Sequence, residues 1–446
     1  MDERLTIENQ DKSRAAHPAH GIATPSDPVA AAFPPHLELI PQLNEVYELR
    51  LAAAEAQLLS DEDLVKRAAF FQSVHGRPTL HYLMCSGNPL LVTTSGERRR
   101  HFFAAHQFKT GYATHGFFPY RGKFHPQMIK GILNSMGLRP GETVLDPMMG
   151  SGTTLVEAAT MGINAIGTDV NPFCVFMAQT KAGALAESPE KLQMVVKNRK
   201  TADRLFSELE ANLPGSTDLS VALPRRIAAL AYLDAVGYAA RSSRFSPPDA
   251  FVEILTKYTD SIAKFSSFRD EHRLRLGETR ATIGDARHIQ MADGSVDGIL
   301  FSPPYSFAVD YVANDEPQLR MLGASVEHLR ENMVGLRGRK GADQVLKYRE
   351  DVAQLLSECS RVLRPGRRCV VVVGTNANQL NALRRKDGLA DLEASLEEMF
   401  VGLASSVGLS HTSELRRQVN GIANSLREES ILFFTKNGTN QAIHGE

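Results

Sequence analysis

The chain has 446 residues, 43% of them hydrophobic, with 50 Lys and Arg against 51 Asp and Glu, a net charge of −1. At ~150 residues per domain this is two or three units with ample chain to bury a core, and the balanced charge leaves any nucleic-acid contact to local basic patches. No apolar run approaches the ~18 residues of a membrane span, the N-terminus lacks a secretory signal, and Cys85, Cys174, Cys359 and Cys369 have neither disulfide nor metal-ligand spacing. A cytoplasmic protein with no membrane contact and no metal is expected.

Residues 1–36 are rich in Pro, Ala, Ser and Asp, and five prolines interrupt any helix there. They read as a mobile leader. Residues 37–110 read as an N-terminal helical region, with LELI, VYELRLAAAEAQLL and DLVKRAAFF at helical spacing and Ser60 with Asp63 as an N-cap signal. Beyond residue 111 strands and helices alternate. TVLD (143–146) and AIGTDV (165–170) are strands, GTTLVEAATMG (152–162) is a helix stopped by Gly162, and a second helix over 171–185 has Pro172 in its first turn. Residues 186–280 carry three helix-like stretches, too long for a bare loop, and read as an inserted helical subdomain. Strands follow at 281–286, 296–301 and 368–374, with helices near 347–363 and 390–406 and two closing strands near 411–419 and 430–436. This order predicts an α/β fold, a doubly wound, mostly parallel sheet of seven strands whose last pair is an antiparallel hairpin at one edge. Residues 111–185 and 281–446 form its two halves around the insertion.

The first strand runs into Asp146-Pro147-Met148-Met149-Gly150-Ser151-Gly152-Thr153-Thr154 and then a helix. Glycines at such a turn let backbone approach a ligand, and ligands bind outside the carboxyl ends of these strands. A P-loop needs a Lys after its last Gly, and none follows Gly152. A dinucleotide fingerprint needs a third Gly where Leu155 stands. An adenosyl ligand without pyrophosphate is left, with Asp146 facing its cationic amino-acid part. Asp169, 23 positions on and followed by Val170, has the spacing of a carboxylate that accepts from ribose hydroxyls. Asp285, before Ala286 at the next strand end, is placed to accept from an adenine amine.

Ser302-Pro303-Pro304-Tyr305 ends the strand at 296–301. Two prolines suit a turn and not a strand interior. They free carbonyls to accept from an exocyclic amine, and Tyr305 offers a face for stacking a base. Acceptors out of the plane of a conjugated amine favour a more tetrahedral nitrogen, and positioning then supplies most of the catalysis.

Together, DPMMGSGTT, GTDVNP, GDAR and SPPY resemble the S-adenosylmethionine-dependent amino-methyltransferases of DNA. The resemblance implies a Rossmann-like methyltransferase fold with S-adenosylmethionine as cofactor. It implies cofactor contacts from Asp146 to Thr154, at Asp169 and at Asp285, and catalysis by Ser302, Pro303, Pro304 and Tyr305. Lys123 and His125, in YRGKFHP (120–126), resemble an additional cofactor motif of that family. Serine at the head of the tetrapeptide is similar to the cytosine-N4 branch, with adenine N6 as the alternative. The stretch after SPPY also resembles relatives of tRNA guanine-N2 methyltransferases, so RNA stands beside DNA as a substrate. The implied setting is DNA methylation of the restriction–modification kind. Phosphate contacts are expected from Arg337, Arg339 and Lys340 in a Gly-rich loop, and from Arg416 and Arg417.

Overall fold

A computed structural model describes residues 32–40, 43, 45–86, 111–120, 122–215, 220–242, 244–304, 310–339, 341–374, 393–418 and 428–438. Nearly all of the expected leader, together with Tyr305 and Lys340, lies outside the described residues.

The N-terminal part runs β1 (Leu37–Leu39), α1 (Val46–Leu58), α2 (Asp61–Arg67), β2 (Phe71–Val74), β3 (Arg77–Pro78) and α3 (Leu80–Ser86). Helices were expected here, but a three-stranded antiparallel sheet, β1-β2-β3, accompanies them. Ser60 caps α2 as its spacing indicated, its Oγ accepting from Asp63 N at 3.2 Å. The cofactor half follows as α4 (Pro126–Ser135), β4 (Thr143–Asp146), α5 (Thr153–Thr160), β5 (Asn164–Asp169) and α6 (Pro172–Ala184). Between it and the next strand stand α7 (Glu190–Val196), α8 (Arg199–Ala211), α9 (Leu223–Ala239) and α10 (Pro247–Glu271). The remainder is β6 (Thr279–Ile283), β7 (Val296–Phe301), α11 (Tyr311–Met321), α12 (Val326–Asn332), α13 (Ala342–Val362), β8 (Leu363–Val373), α14 (Leu396–Ser406), β9 (Leu409–Gln418) and β10 (Glu428–Lys436).

The main sheet has seven strands in the order β6-β5-β4-β7-β8-β10-β9. The first five are mutually parallel, and β10 runs antiparallel to both β8 and β9. This is the doubly wound fold expected from the sequence. Period-two alternation divides its side chains between two cores. Leu300, Val370 and Val372 join one with α4, α5, α1 and α2. Ile299, Phe301, Cys369, Val371 and Val373 join the other with α13 and α14. A third cluster joins α6, α8, α9, α10 and α11. Helix α1 reaches the domain through Glu55, whose buried carboxylate accepts from Ala69 N at 2.8 Å and from Asn134 Nδ2 at 2.7 Å. Among the described residues no helix is long and apolar enough to cross a membrane.

Candidate active site

The carboxyl ends of β4, β5, β6 and β7 open on one cavity of about 300 Å³. Parallel strands that diverge in connection at this end leave such a crevice. Its wall includes Pro147, Met148, Gly150, Ser151 and Thr153 of the glycine turn, Asp169 and Val170 after β5, and Asp285 and Ala286 after β6. Ser302, Pro303 and Pro304 after β7 line it too, with Lys123 and Arg417. Two turns about 150 residues apart therefore share a wall, because β4 pairs directly with β7 through Val144–Gly298 and Leu145–Ile299.

The glycine turn is shaped by left-handed backbone. Gly150 has φ +48° and Gly152, the cap of α5, has φ +77°. A Cβ on Gly152 would lie 2.7 Å from Ala178 Cβ, so α5 approaches α6 over a position with room only for hydrogen. A Cβ on Gly150 would meet nothing closer than Tyr120 Cε1 at 3.8 Å, which leaves that stretch of backbone open to the cavity. Asp169 fixes the turn: its Oδ2 accepts from Gly150 N at 2.9 Å and its Oδ1 from Asn171 N at 2.9 Å. Burial raises its pKa to about 6. Asp146 lies beneath the turn and not on the cavity wall. Its Oδ1 accepts from Met148 N at 3.2 Å, and burial raises its pKa to about 7 against the opposing pull of Thr154 and the Met148 N–H. Thr154 is buried behind the same turn.

Asp285 is already engaged. The Arg287 guanidinium grips both carboxylate oxygens, Nη2 donating at 2.7 Å and Nε at 3.0 and 3.1 Å. Burial would raise the Asp285 pKa, but the Arg287 fork outweighs it and holds it below the ordinary range. Arg287 continues to Asp351 Oδ1 at 2.8 Å and to Asn332 O at 2.8 Å. This brace was not foreseen, although its Arg stands in the quoted GDAR.

On the opposite turn, Tyr348 Oη donates to Pro304 O at 3.1 Å and pins the Ser-Pro-Pro segment to α13. Sequence reading also missed Asn171, Asp315 and Tyr120. Asn171 caps α6 through Phe173 N and donates to Asp315 Oδ2 at 2.8 Å, which ties α11 to the cofactor half. Tyr120 Oη donates to the same oxygen at 3.4 Å. Burial raises the Asp315 pKa to about 7.

Lys123 lines the cavity and donates to His115 O at 3.0 Å. His125 caps α4 from outside the cavity wall, and burial lowers its pKa to about 4. The expected phosphate ligands divide. Arg337 is paired with buried Asp351, and Arg339 is exposed. Arg416 is exposed on β9 and pairs with Glu414 and Glu428. Arg417 turns to the cavity, where its Nε meets Glu429 Oε2 at 2.8 Å and Glu429 lines the same wall.

An open glycine backbone and a carboxylate at the next strand end fit a ligand with ribose hydroxyls, whereas Asp146, expected to face a cationic amino-acid tail, is buried beneath the turn and off the wall. Residues 117–208 match the family described as RMKL-like, methyltransferase domain (UPF0020). The type II methyltransferase M.MjaII of Methanocaldococcus jannaschii is 48% identical over 67 residues, 15% of this chain and 12% of that protein. The type II methyltransferase M.BsoBI of Geobacillus stearothermophilus is 30% identical over 93 residues, 21% and 18% of the two chains. The tRNA (guanine(10)-N2)-dimethyltransferase of Methanothermobacter thermautotrophicus is 35% identical over 54 residues, 12% and 16%. The matched stretches thus span less than a fifth of each relative. The family match takes in the glycine turn and Asp169 and stops before Asp285 and Ser302, and a methyltransferase domain supports S-adenosylmethionine as the cofactor.

Proposed function

We propose that the protein transfers a methyl group from S-adenosylmethionine to an exocyclic amine of DNA, with cytosine N4 as the acceptor. The observation that carries this reading is the shared wall: Ser302, Pro303 and Pro304 face the cavity that Gly150 and Asp169 also line. S-adenosylmethionine supplies an electrophilic methyl on a sulfonium. The chain's part is geometric. Asp169 accepts from the ribose hydroxyls, and the glycine turn lies along the amino-acid tail. With the cofactor bound, the Ser302 hydroxyl and the Ser302 and Pro303 carbonyls would accept from the amine; its nitrogen would take the methyl as the methyl–sulfur bond breaks, the electron pair staying on sulfur as a neutral thioether and the surplus proton passing to solvent. Tyr348, by holding Pro304, keeps those acceptors at fixed range. A base in duplex DNA has to leave the stack to reach them. Arg417 and Glu429 add a donor and an acceptor to the same wall, suited to the edge of a base.

The test is nucleoside mass spectrometry of DNA and RNA incubated with the protein and the cofactor. N4-methylcytosine in DNA is the expected product. N6-methyladenine would move the acceptor within the same chemistry. N2-methylguanosine in RNA alone would favour the second reading, which the similarity to the tRNA dimethyltransferase supports. Ser302→Ala, which removes the hydroxyl that accepts from the amine beside those carbonyls, is expected to slow transfer by roughly ten- to a hundredfold with cofactor affinity unchanged.

Cofactor affinity should depend on pH. The Asp169 carboxylate, with its pKa raised to about 6, accepts from two hydroxyls only when ionised. The Kd measured by calorimetry is therefore expected to rise as pH falls from 8 to 5, approaching tenfold per unit below that pKa for each carboxylate that must ionise. Asp169→Asn should weaken binding at pH 8 and flatten the slope. A Kd indifferent to pH would remove Asp169 from the ribose contact.

A further inference from the structure

Far from the cleft, three side chains converge on the small N-terminal sheet. His36 Nε2 lies 3.5 Å from Asp61 Oδ1, and His75 Nε2 lies 2.9 Å from Asp61 Oδ2. The two imidazoles stack with centroids 4.3 Å apart and planes 12° from parallel. The candidate ligand atoms of all three residues fall within 4.8 Å of one another.

The backbone sets this convergence. His75 N donates to His36 O at 2.8 Å, so the two histidines sit opposite each other just beyond the β1–β2 ladder. His75 and Gly76, at φ +49° and +73°, form the two-residue turn between β2 and β3. Asp61 opens α2, whose entry is fixed by the Ser60 cap. Arg77, two positions after His75, pairs with Glu62 at 2.8 Å.

The geometry points to a divalent transition-metal site formed by His36, Asp61 and His75, with Zn²⁺ as its ion. Two imidazoles and one carboxylate suit zinc, whereas Mg²⁺ and Ca²⁺ favour oxygen donors. In the structure His75 Nε2 and Asp61 Oδ2 are at hydrogen-bond distance and the two rings lie near parallel, so binding an ion turns the exposed imidazoles about their side-chain bonds until both Nε2 lone pairs meet it. The fourth position opens to solvent, since all three side chains are partly or largely exposed. The expectation of no metal rested on cysteine and histidine spacing. These ligands stand 25 and 14 positions apart and meet only in the folded chain. An ion held here would clip the start of β1, the hairpin tip and α2 together, independently of the methyl-transfer reading.

The test uses the full chain stripped with a chelator and titrated with ZnCl₂ by calorimetry, with Co²⁺ absorbance as a geometric reporter. One equivalent is expected to bind, with an intense tetrahedral cobalt spectrum and a raised melting temperature. His36→Gln, Asp61→Asn and His75→Asn should each weaken binding at least tenfold. Asn tolerates the positive φ at position 75, so that variant keeps the turn. His328→Gln, at an exposed histidine elsewhere, should leave binding unchanged. Zinc binding equal in all four variants, a six-coordinate cobalt spectrum, or no binding at all would overturn the assignment.

Discussion

Glu157→Ala is expected to cost about 3–5 kcal/mol of folding stability, because it strands a buried cation. Glu157 lies on α5, directly behind the glycine turn, and is fully buried. Its Oε1 accepts from Tyr112 Oη at 2.5 Å and meets His115 Nε2 at 2.6 Å, while Oε2 pairs with Lys130 Nζ at 3.1 Å. Burial alone would raise its pKa, yet Lys130 and His115 outweigh that and lower it to about 2. A depressed carboxylate contributes stability above its ordinary pKa and loses it as pH falls toward the folded value. Urea unfolding should therefore show a midpoint that falls between pH 4.5 and 2 more steeply in the native protein than in the variant. Equal slopes and an unchanged midpoint at pH 7 would mean that Lys130 finds another partner.

The second large effect is expected at Gly152. Gly152→Ala adds a methyl 2.7 Å from Ala178 Cβ and 2.9 Å from Ala178 Cα, at a φ of +77°. The left-handed backbone costs ~1–2 kcal/mol for a residue with a Cβ, and the clash is with backbone that cannot rotate away. Helix α6 has to shift, and with it Asn171, which caps that helix and joins it to Asp315. Cofactor affinity by calorimetry should fall at least tenfold, with a lower melting temperature. Gly294→Ala, at another left-handed glycine with nothing within 4 Å of the added methyl, isolates the backbone term and should leave cofactor binding intact.

The main sheet was legible because its strands are short apolar runs closed by punctuation. TVLD ends at a glycine turn, VDGILF ends at two prolines, and RCVVVV carries four β-branched valines in a row; each stands in the sheet as read. The Ser60 cap and the Pro172 of the first turn of α6 were local signals and were read locally. The N-terminal sheet was not legible, since strands of three, four and two residues carry no alternation to detect. The cleft's main turns were visible as motifs, but the braces behind them were not. Arg287 meets Asp351 across 64 positions, and Tyr348 meets Pro304 across 44. Arg417 was expected to contact phosphate together with Arg416. It lies on the cavity wall because β10 inserts between β8 and β9, a pairing that no local pattern announces.

The direct pairing of β4 with β7 has a consequence for chain length. The two strands that carry the functional turns are neighbours, one inter-strand step of about 4.8 Å apart, whatever the tether joining them. Helices α7 to α10 contribute no strand to that pairing, so the step between the two strands does not pass through them.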